Sequence, residues 1–275
     1  MIGEAKHFEG RERTQEVLKA FGWFEFMDVP GESAPYGLSA QFWDHTLEHI
    51  VGGLWERPQM NLRDRELVML ALIAATPSRV GLIPHLRNAH FLGFSAQAVR
   101  EILLMVAWYA GWPKAMEAIV QFEEIASQPD SPYAQVPDVP GEIEAPTAEG
   151  RATQVLRKLG WDNHLGPDSE AQRKYGGTFH QAAIEQLYGG LWSRPCLSIR
   201  DREMVAIALT LAASSPETLP QHFENAHRIG ISAATIIEII LTTAYYSGWP
   251  KAGGAVRLLR DIVSRPDSPY NAAEV

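Results

Sequence analysis

A chain of 275 residues, 46% hydrophobic and 21% charged, has length for two domains with separate cores and is too apolar for wholesale disorder. A formal net charge of -9 with no basic stripe argues against nucleic acid as a partner. The single cysteine, Cys196, excludes an intrachain disulfide, and a polar first dozen residues with no run near roughly 18 apolar residues predicts a soluble, cytoplasmic protein without a membrane partner.

In chain order, residues 10–21 and 38–54 read as helical. Asn61, with Asp64 three residues on, is an N-cap signal for a helix over 62–75 that is apolar almost all round, the pattern of a core helix. Pro84 is expected to open a short helix that Gly93 ends in a left-handed cap. Ser95 caps the next, whose Val99, Ile102, Leu103 and Val106 keep helical spacing as far as Gly111. Pro113 fits the first turn of a last helix to about Ser127.

These features then recur. Gly-Gly-Leu-Trp at 52–55 and Pro-Asp-Ser-Pro-Tyr at 129–133 return at 189–192 and 266–270, each 137 residues on (52 to 189, 129 to 266). Trp23 and Trp161 close a matching earlier segment at an offset of 138 (23 to 161). A period this long is a domain, not a solenoid repeat. The Pro- and Glu-rich stretch Pro129 to Gly150 has no periodicity and reads as an extended linker, giving modules 1–134 and 150–275 with a linker at 135–149. With no alternating runs between turn pairs, the fold class is all-α, two tandem copies of about six helices each.

Chemistry-bearing residues recur with the repeat. Glu66 and Glu203 open the core helices, flanked by Arg63 and Arg65 and by Arg200 and Arg202; each either closes a helix end through an Arg–Glu pair or is a carboxylate poised for proton transfer. His85 and His222 follow 19 residues later, as general acid or base or as packed capping histidines. His90 and His227, five residues further, project to another face and fit packing or an interface. His-Glu-x-x-His spacing is absent and three ligands would have to converge from separate helices, so no metal is expected. Arg57 and Arg194 suit a substrate carboxylate or a structural salt bridge. Trp55, Tyr109 and Trp112, with Trp192, Tyr246 and Trp249, line a pocket or belong to the core. Cys196 has Gln59 as its counterpart and reads as incidental. Upstream, Trp43, His45 and His49 stand against His180, Ala182 and Gln186, so two pockets would differ.

Arg-Pro, then Arg-Asp-Arg-Glu at 63–66 and 200–203, then His85 and His222 with Ala and Gly four and eight residues on, then Tyr-x-Gly-x-Pro-x-Ala from Tyr109 and Tyr246, resemble the carboxymuconolactone decarboxylase family and its alkylhydroperoxidase D-like relatives. The resemblance covers about 40–127 and 177–264. In the peroxidase branch two cysteines precede the histidine; here their places hold Ser78 and Gly81, and Ser215 and Thr218, so disulfide-based peroxide reduction is excluded. The decarboxylase branch implies a small carboxylated lactone or keto acid as substrate and no cofactor. It implies His85 and His222 as proton donors, oriented by Glu66 and Glu203. It implies Arg57 or Arg63, with Arg194 or Arg200, on the substrate carboxylate. The places of His90 and His227 are usually apolar in the family. Single-module relatives assemble as trimers or hexamers, which implies a homo-oligomer, a trimer of two-module chains. The expected site is a partly enclosed cavity lined by Glu66 and His85 near Tyr109 or Trp112. The alternative is a non-catalytic binding or scaffolding protein that keeps the fold; a metal-assisted hydrolase or lyase built on His85 is a third.

Overall fold

The computed structural model describes residues 11–27, 35–76, 79–166, 169–215 and 217–270, which carry helices and no strand. In the first copy α1 (Arg11–Ala20) precedes α2 (Ala40–His45), which Ser39 caps and which runs on as a π-helix over Thr46–Trp55. Asn61 accepts from the Asp64 amide at 2.8 Å and starts α3 (Leu62–Ala74), buried from Asp64 onward. Then come α4 (Arg79–Asn88), α5 (Ala96–Ala110) capped by Ser95, and α6 (Trp112–Ala126). The second copy repeats this as α7 (Ala148–Leu159), α8 (Glu170–Tyr175), α9 (Gly177–Ala182) with its π-helix Ala183–Leu191, α10 (Ile199–Ala212), α11 (Leu219–Asn225), α12 (Ala233–Ser247) and α13 (Gly253–Val263). The chain is two tandem all-α copies of one module.

Pro84 departs from the expected place. It lies inside α4 rather than at its start, so the helix loses one intrahelical donor there, and Pro220 of the second copy does occupy the first turn of α11. Both segments end as read, in a short 3-10 turn closed by Gly93 (φ 83°) and Gly230 (φ 76°) in the left-handed region. The repeated Pro-Asp-Ser-Pro-Tyr is a clasp rather than the head of a free linker. The Tyr133 hydroxyl donates to the Leu86 carbonyl at 2.5 Å, and that of Tyr270 to the Phe223 carbonyl. Beyond it the chain leans on the second copy: Cys196 N–H donates to the Val139 carbonyl at 3.0 Å and Ile143 is buried.

The two copies share one core. Helix α3 packs on α10 and α12, and α10 packs on α5. This is why α3 and α10 are apolar all round: one face of each meets its own module and the other meets the partner copy. The pairing is reciprocal, as in an isologous dimer fused into one chain. Arg63 makes a two-pronged contact with Asp201 (2.7 and 3.0 Å) and Arg200 pairs with Asp64 at 2.8 Å. Arg57 donates through Nε to both oxygens of Glu238 (2.8 and 3.0 Å), and Arg194 does the same to Glu101 (2.8 and 2.9 Å). Arg65 and Arg202, with no exposed surface, add a bond each to Glu238 and Glu101, both at 3.1 Å.

Candidate active site

Helix α3 presents Glu66 one turn from its start, and α4 presents His85 in its last turn. His85 Nδ1 is hydrogen-bonded to both carboxylate oxygens of Glu66, at 2.7 and 3.0 Å, with the side chains only 3% and 1% exposed. The second copy holds His222 Nδ1 2.8 Å from Glu203 Oε1, both again buried, while Glu203 Oε2 has no hydrogen-bond partner. Burial pushes the Glu66 carboxyl above its ordinary range, and His85 offsets only part of that rise. In both pairs Nδ1 is committed, and among the described residues no hydrogen bond reaches Nε2.

Aromatic rings close over the pairs. The Trp23 edge meets the His85 ring at 4.8 Å between centroids, with Trp55 at 6.2 Å; Trp161 meets His222 at 4.9 Å. The indole N–H groups of Trp23 and Trp161 are buried without an acceptor. Those of Trp55 and Trp192 are not: Trp55 donates to the Tyr246 hydroxyl at 3.2 Å and Trp192 to the Tyr109 hydroxyl at 3.0 Å. Each tyrosine therefore belongs to the site of the opposite copy. Burial holds both phenols far above their usual range, and the carboxylate adds to it, Glu203 for Tyr109 and Glu66 for Tyr246. Tyr109 does not join Glu66 and His85 as expected; Tyr246 does, because each copy's α5 or α12 crosses to the other module.

The remaining expected site residues lie elsewhere. Arg57, Arg63, Arg194 and Arg200 sit in the inter-copy ion pairs, their donors already directed at carboxylates of the chain. Trp112 and Trp249 are 57% and 60% exposed; Trp112 lines a 330 Å³ groove with Arg100, Glu101 and Met116, away from His85. Cavities of 330, 680 and 470 Å³ among the described residues have neither Glu66, His85, Glu203 nor His222 in their walls. His90 and His227 face the clasp instead: each is hydrogen-bonded through Nδ1 to a backbone carbonyl at 2.9 Å and lies edge-on to Tyr133 or Tyr270. Of the four positions where the peroxidase branch carries cysteine, Ser78 lies outside the described residues.

Some groups escaped the sequence reading. Glu101 and Glu238 are fully buried mid-helix, and their recurrence at the repeat offset within apolar helices was the available signal. A metal-capable set also exists away from the pairs. His45, Glu48 and His49, all exposed on α2 and its π-helical extension, have ligand atoms within 4.8 Å of one another. The spacing is His-x-x-Glu-His, the reverse of the order that the sequence lacks.

The sequence profile of the carboxymuconolactone decarboxylase family matches twice, over residues 40–124 and 180–261. The chain belongs to this family. Each match contains one Glu–His pair. The chain is similar to the 4-carboxymuconolactone decarboxylase of Acinetobacter baylyi, 25% identical over 109 residues, which are 40% of this chain and 81% of that protein. It is also similar to the nitrosuccinic acid decarboxylase of Metarhizium robertsii, 33% identical over 69 residues, 25% of this chain and 48% of that protein. Both relatives of this two-copy family member carry the name of a decarboxylase. Among its described residues no helix is long and apolar enough to cross a membrane.

Proposed function

We propose that the chain is a decarboxylase of small carboxylic acids, carboxylated lactones or keto acids, that works by proton transfer from its Glu–His pairs. The observation that carries this is the buried pair itself, made twice with the same atoms: Nδ1 on the carboxylate, Nε2 left over. When the bond to a carboxylate breaks and CO2 leaves, the electron pair passes into the neighbouring unsaturated system as an enolate, and a carbon must take up a proton. The histidine delivers the proton on Nε2 to that carbon. The proton held between Glu and Nδ1 then settles on Nδ1, leaving a carboxylate that faces an N–H, and water restores the proton lost. Raising the Glu66 carboxyl favours this store of a proton inside the pair. The unpartnered indole N–H groups of Trp23 and Trp161, beside the rings, suit the developing oxyanion. The two relatives' names support decarboxylation, and the loss of the paired thiols keeps disulfide-based peroxide reduction out of the reading.

One observation favours a second reading, a binding or scaffolding protein: aromatic rings cover both pairs, and the cavities described above do not reach them. The wild-type chain should release CO2 from at least one member of a panel of carboxylated lactones, nitrosuccinate and β-keto acids. Folded protein that releases none would favour the second reading. The same proposal takes three chains as the working assembly, with exposed Trp112 and Trp249 among the surfaces available for contact; sedimentation at the mass of one chain would contradict it.

A further inference from the structure

The two copies agree at the Glu–His pair and differ at one wall beside it. Three residues after Trp23 stands Phe26, and three after Trp161 stands His164, each in a short 3-10 turn. Trp43 in α2 and His180 in α9 correspond in the same way, as do Val51 and Tyr188 in the π-helices (43 to 180, 51 to 188). In the first copy Phe26 and Trp43 are buried and pack on each other at 5.7 Å between ring centroids, so the wall is filled by two large rings. In the second copy His164 and His180 line a cavity of 680 Å³ between α7, α8 and the α9–π helix, together with Thr153, Gln172 and Gln181. That volume falls within the roughly 300–1,000 Å³ range of small-molecule sites.

The cavity lies close to the chemistry. His164 stacks on Trp161 at 5.7 Å, and Trp161 lies edge-on to His222 at 4.9 Å. Tyr188 touches His164, Trp161 and Trp192 and ties the wall to the pair. His180 is held by Ser169, whose Oγ lies 3.4 Å from Nε2 and accepts from the Gln172 amide. Burial lowers the His164 pKa, with a hydrogen bond to Gln221 opposing it and the neighbouring His180 adding to it, which favours the uncharged ring. Two carboxylates, Glu149 and Glu185, also line the cavity from exposed positions. With no lysine or arginine among the lining residues, they disfavour ligands of high negative charge.

We infer that this cavity is a carboxylate-binding subsite of the second copy, beside the Glu203–His222 pair with the Trp161 ring between them, and that His164 and His180 hydrogen-bond the carboxylate end of a small ligand there, a preference that Phe26 and Trp43 deny the first copy. The two imidazoles are specificity-determining residues, distinct from the Glu203–His222 pair that would do the chemistry. The inference rests on the reading of the chain as acting on small carboxylates, and its binding test needs no turnover.

The test titrates the full chain, its histidines ring-labelled, with succinate and separately with a muconolactone, followed by NMR. Ring signals of His164 and His180, assigned by single substitution, should shift together with one Kd, while His90, against Tyr133, should not move. The double variant H164F/H180W, which installs the first copy's residues, should weaken binding at least tenfold. H164Q/H180Q, which keeps a donor at each place, should lose less and guards against misfolding of the first variant. With any substrate that is turned over, H164F/H180W should raise KM and leave kcat within about threefold, the split expected when binding is lost and chemistry kept. Unmoved ring signals with both probes, or equal Kd values for wild type and H164F/H180W, would overturn the inference. Binding at these rings in a chain that releases no CO2 would keep it and refute only the decarboxylase reading.

Discussion

Glu238→Ala should cost the protein far more than its place outside the Glu–His pair suggests. The carboxylate has no exposed surface and accepts two bonds from Arg57 Nε and one from Arg65 Nη2. Arg65 is equally enclosed, its Nε and Nη1 already lack partners, and burial, with the Arg57 charge adding to it, pulls its pKa down against the pull of Glu238. Removing Glu238 strands this guanidinium in the shared core with only the carbonyls of Arg57 and Met60. Breaking a buried pair from one side costs roughly 3–5 kcal/mol, which for a chain of this size corresponds to a fall in Tm of roughly 6–20 °C. Arg57→Ala removes the partner that is 41% exposed and should cost only about 1 kcal/mol, because Arg65 still neutralises Glu238. Urea unfolding of the two variants, read by tryptophan fluorescence and far-UV dichroism together, measures the difference. Equal costs, or a cost below about 1 kcal/mol for Glu238→Ala, would refute the view that the inter-copy pairs are closed charge networks.

The other expectations concern single contacts. Gly189 in the second π-helix faces α7 so closely that an added Cβ would lie 2.2 Å from the Ala148 carbonyl oxygen, whereas at Gly190 the nearest contact is 3.4 Å. Gly189→Ala should therefore lose about 1–3 kcal/mol in thermal or urea unfolding, and Gly190→Ala much less. Burial opposes ionisation of Asp201, but Arg63 and Ser198 outweigh it and hold the carboxyl below its ordinary value. A depressed folded-state pKa gives stability that is present above the unfolded value, about 3.9, and is lost as pH falls through the folded one. Asp201→Asn should accordingly be less stable at pH 7 and lose less on acidification below about pH 4, as measured by stability against pH. Tyr246→Phe removes the acceptor of the Trp55 indole and should cost about 1–3 kcal/mol, with the Trp55 emission changing although the two residues lie in different copies.

Much of the local structure was legible because it is written in neighbours. Asn61 and Ser198 cap α3 and α10, Ser95 caps α5, and Gly93 and Gly230 close their turns with positive φ, each a choice made within a few residues. The Glu–His pair was legible as a recurrence, 19 residues apart in both copies, although not as a contact. What the sequence could not display was the exchange between copies. Arg57 finds Glu238 and Trp192 finds Tyr109 across 181 and 83 residues, and nothing local distinguishes an arginine aimed at a substrate from one aimed at a partner helix. The same holds for Tyr109 and Tyr246, which recur in register with their own histidines yet serve the opposite ones. Pro84 shows the limit of local signals, since tertiary packing holds a proline inside α4 that helix preference alone would place at the start.

The most direct test of the proton-transfer account is the turnover of His85→Ala combined with His222→Ala, followed in D2O with product analysis by NMR on whichever substrate the wild type decarboxylates. The account predicts a fall in kcat of about 10²–10⁴ with the fold intact, and wild-type product carrying one deuterium on the carbon that held the carboxylate or on one conjugated with it. A folded double variant that keeps kcat within about twofold of wild type would contradict it.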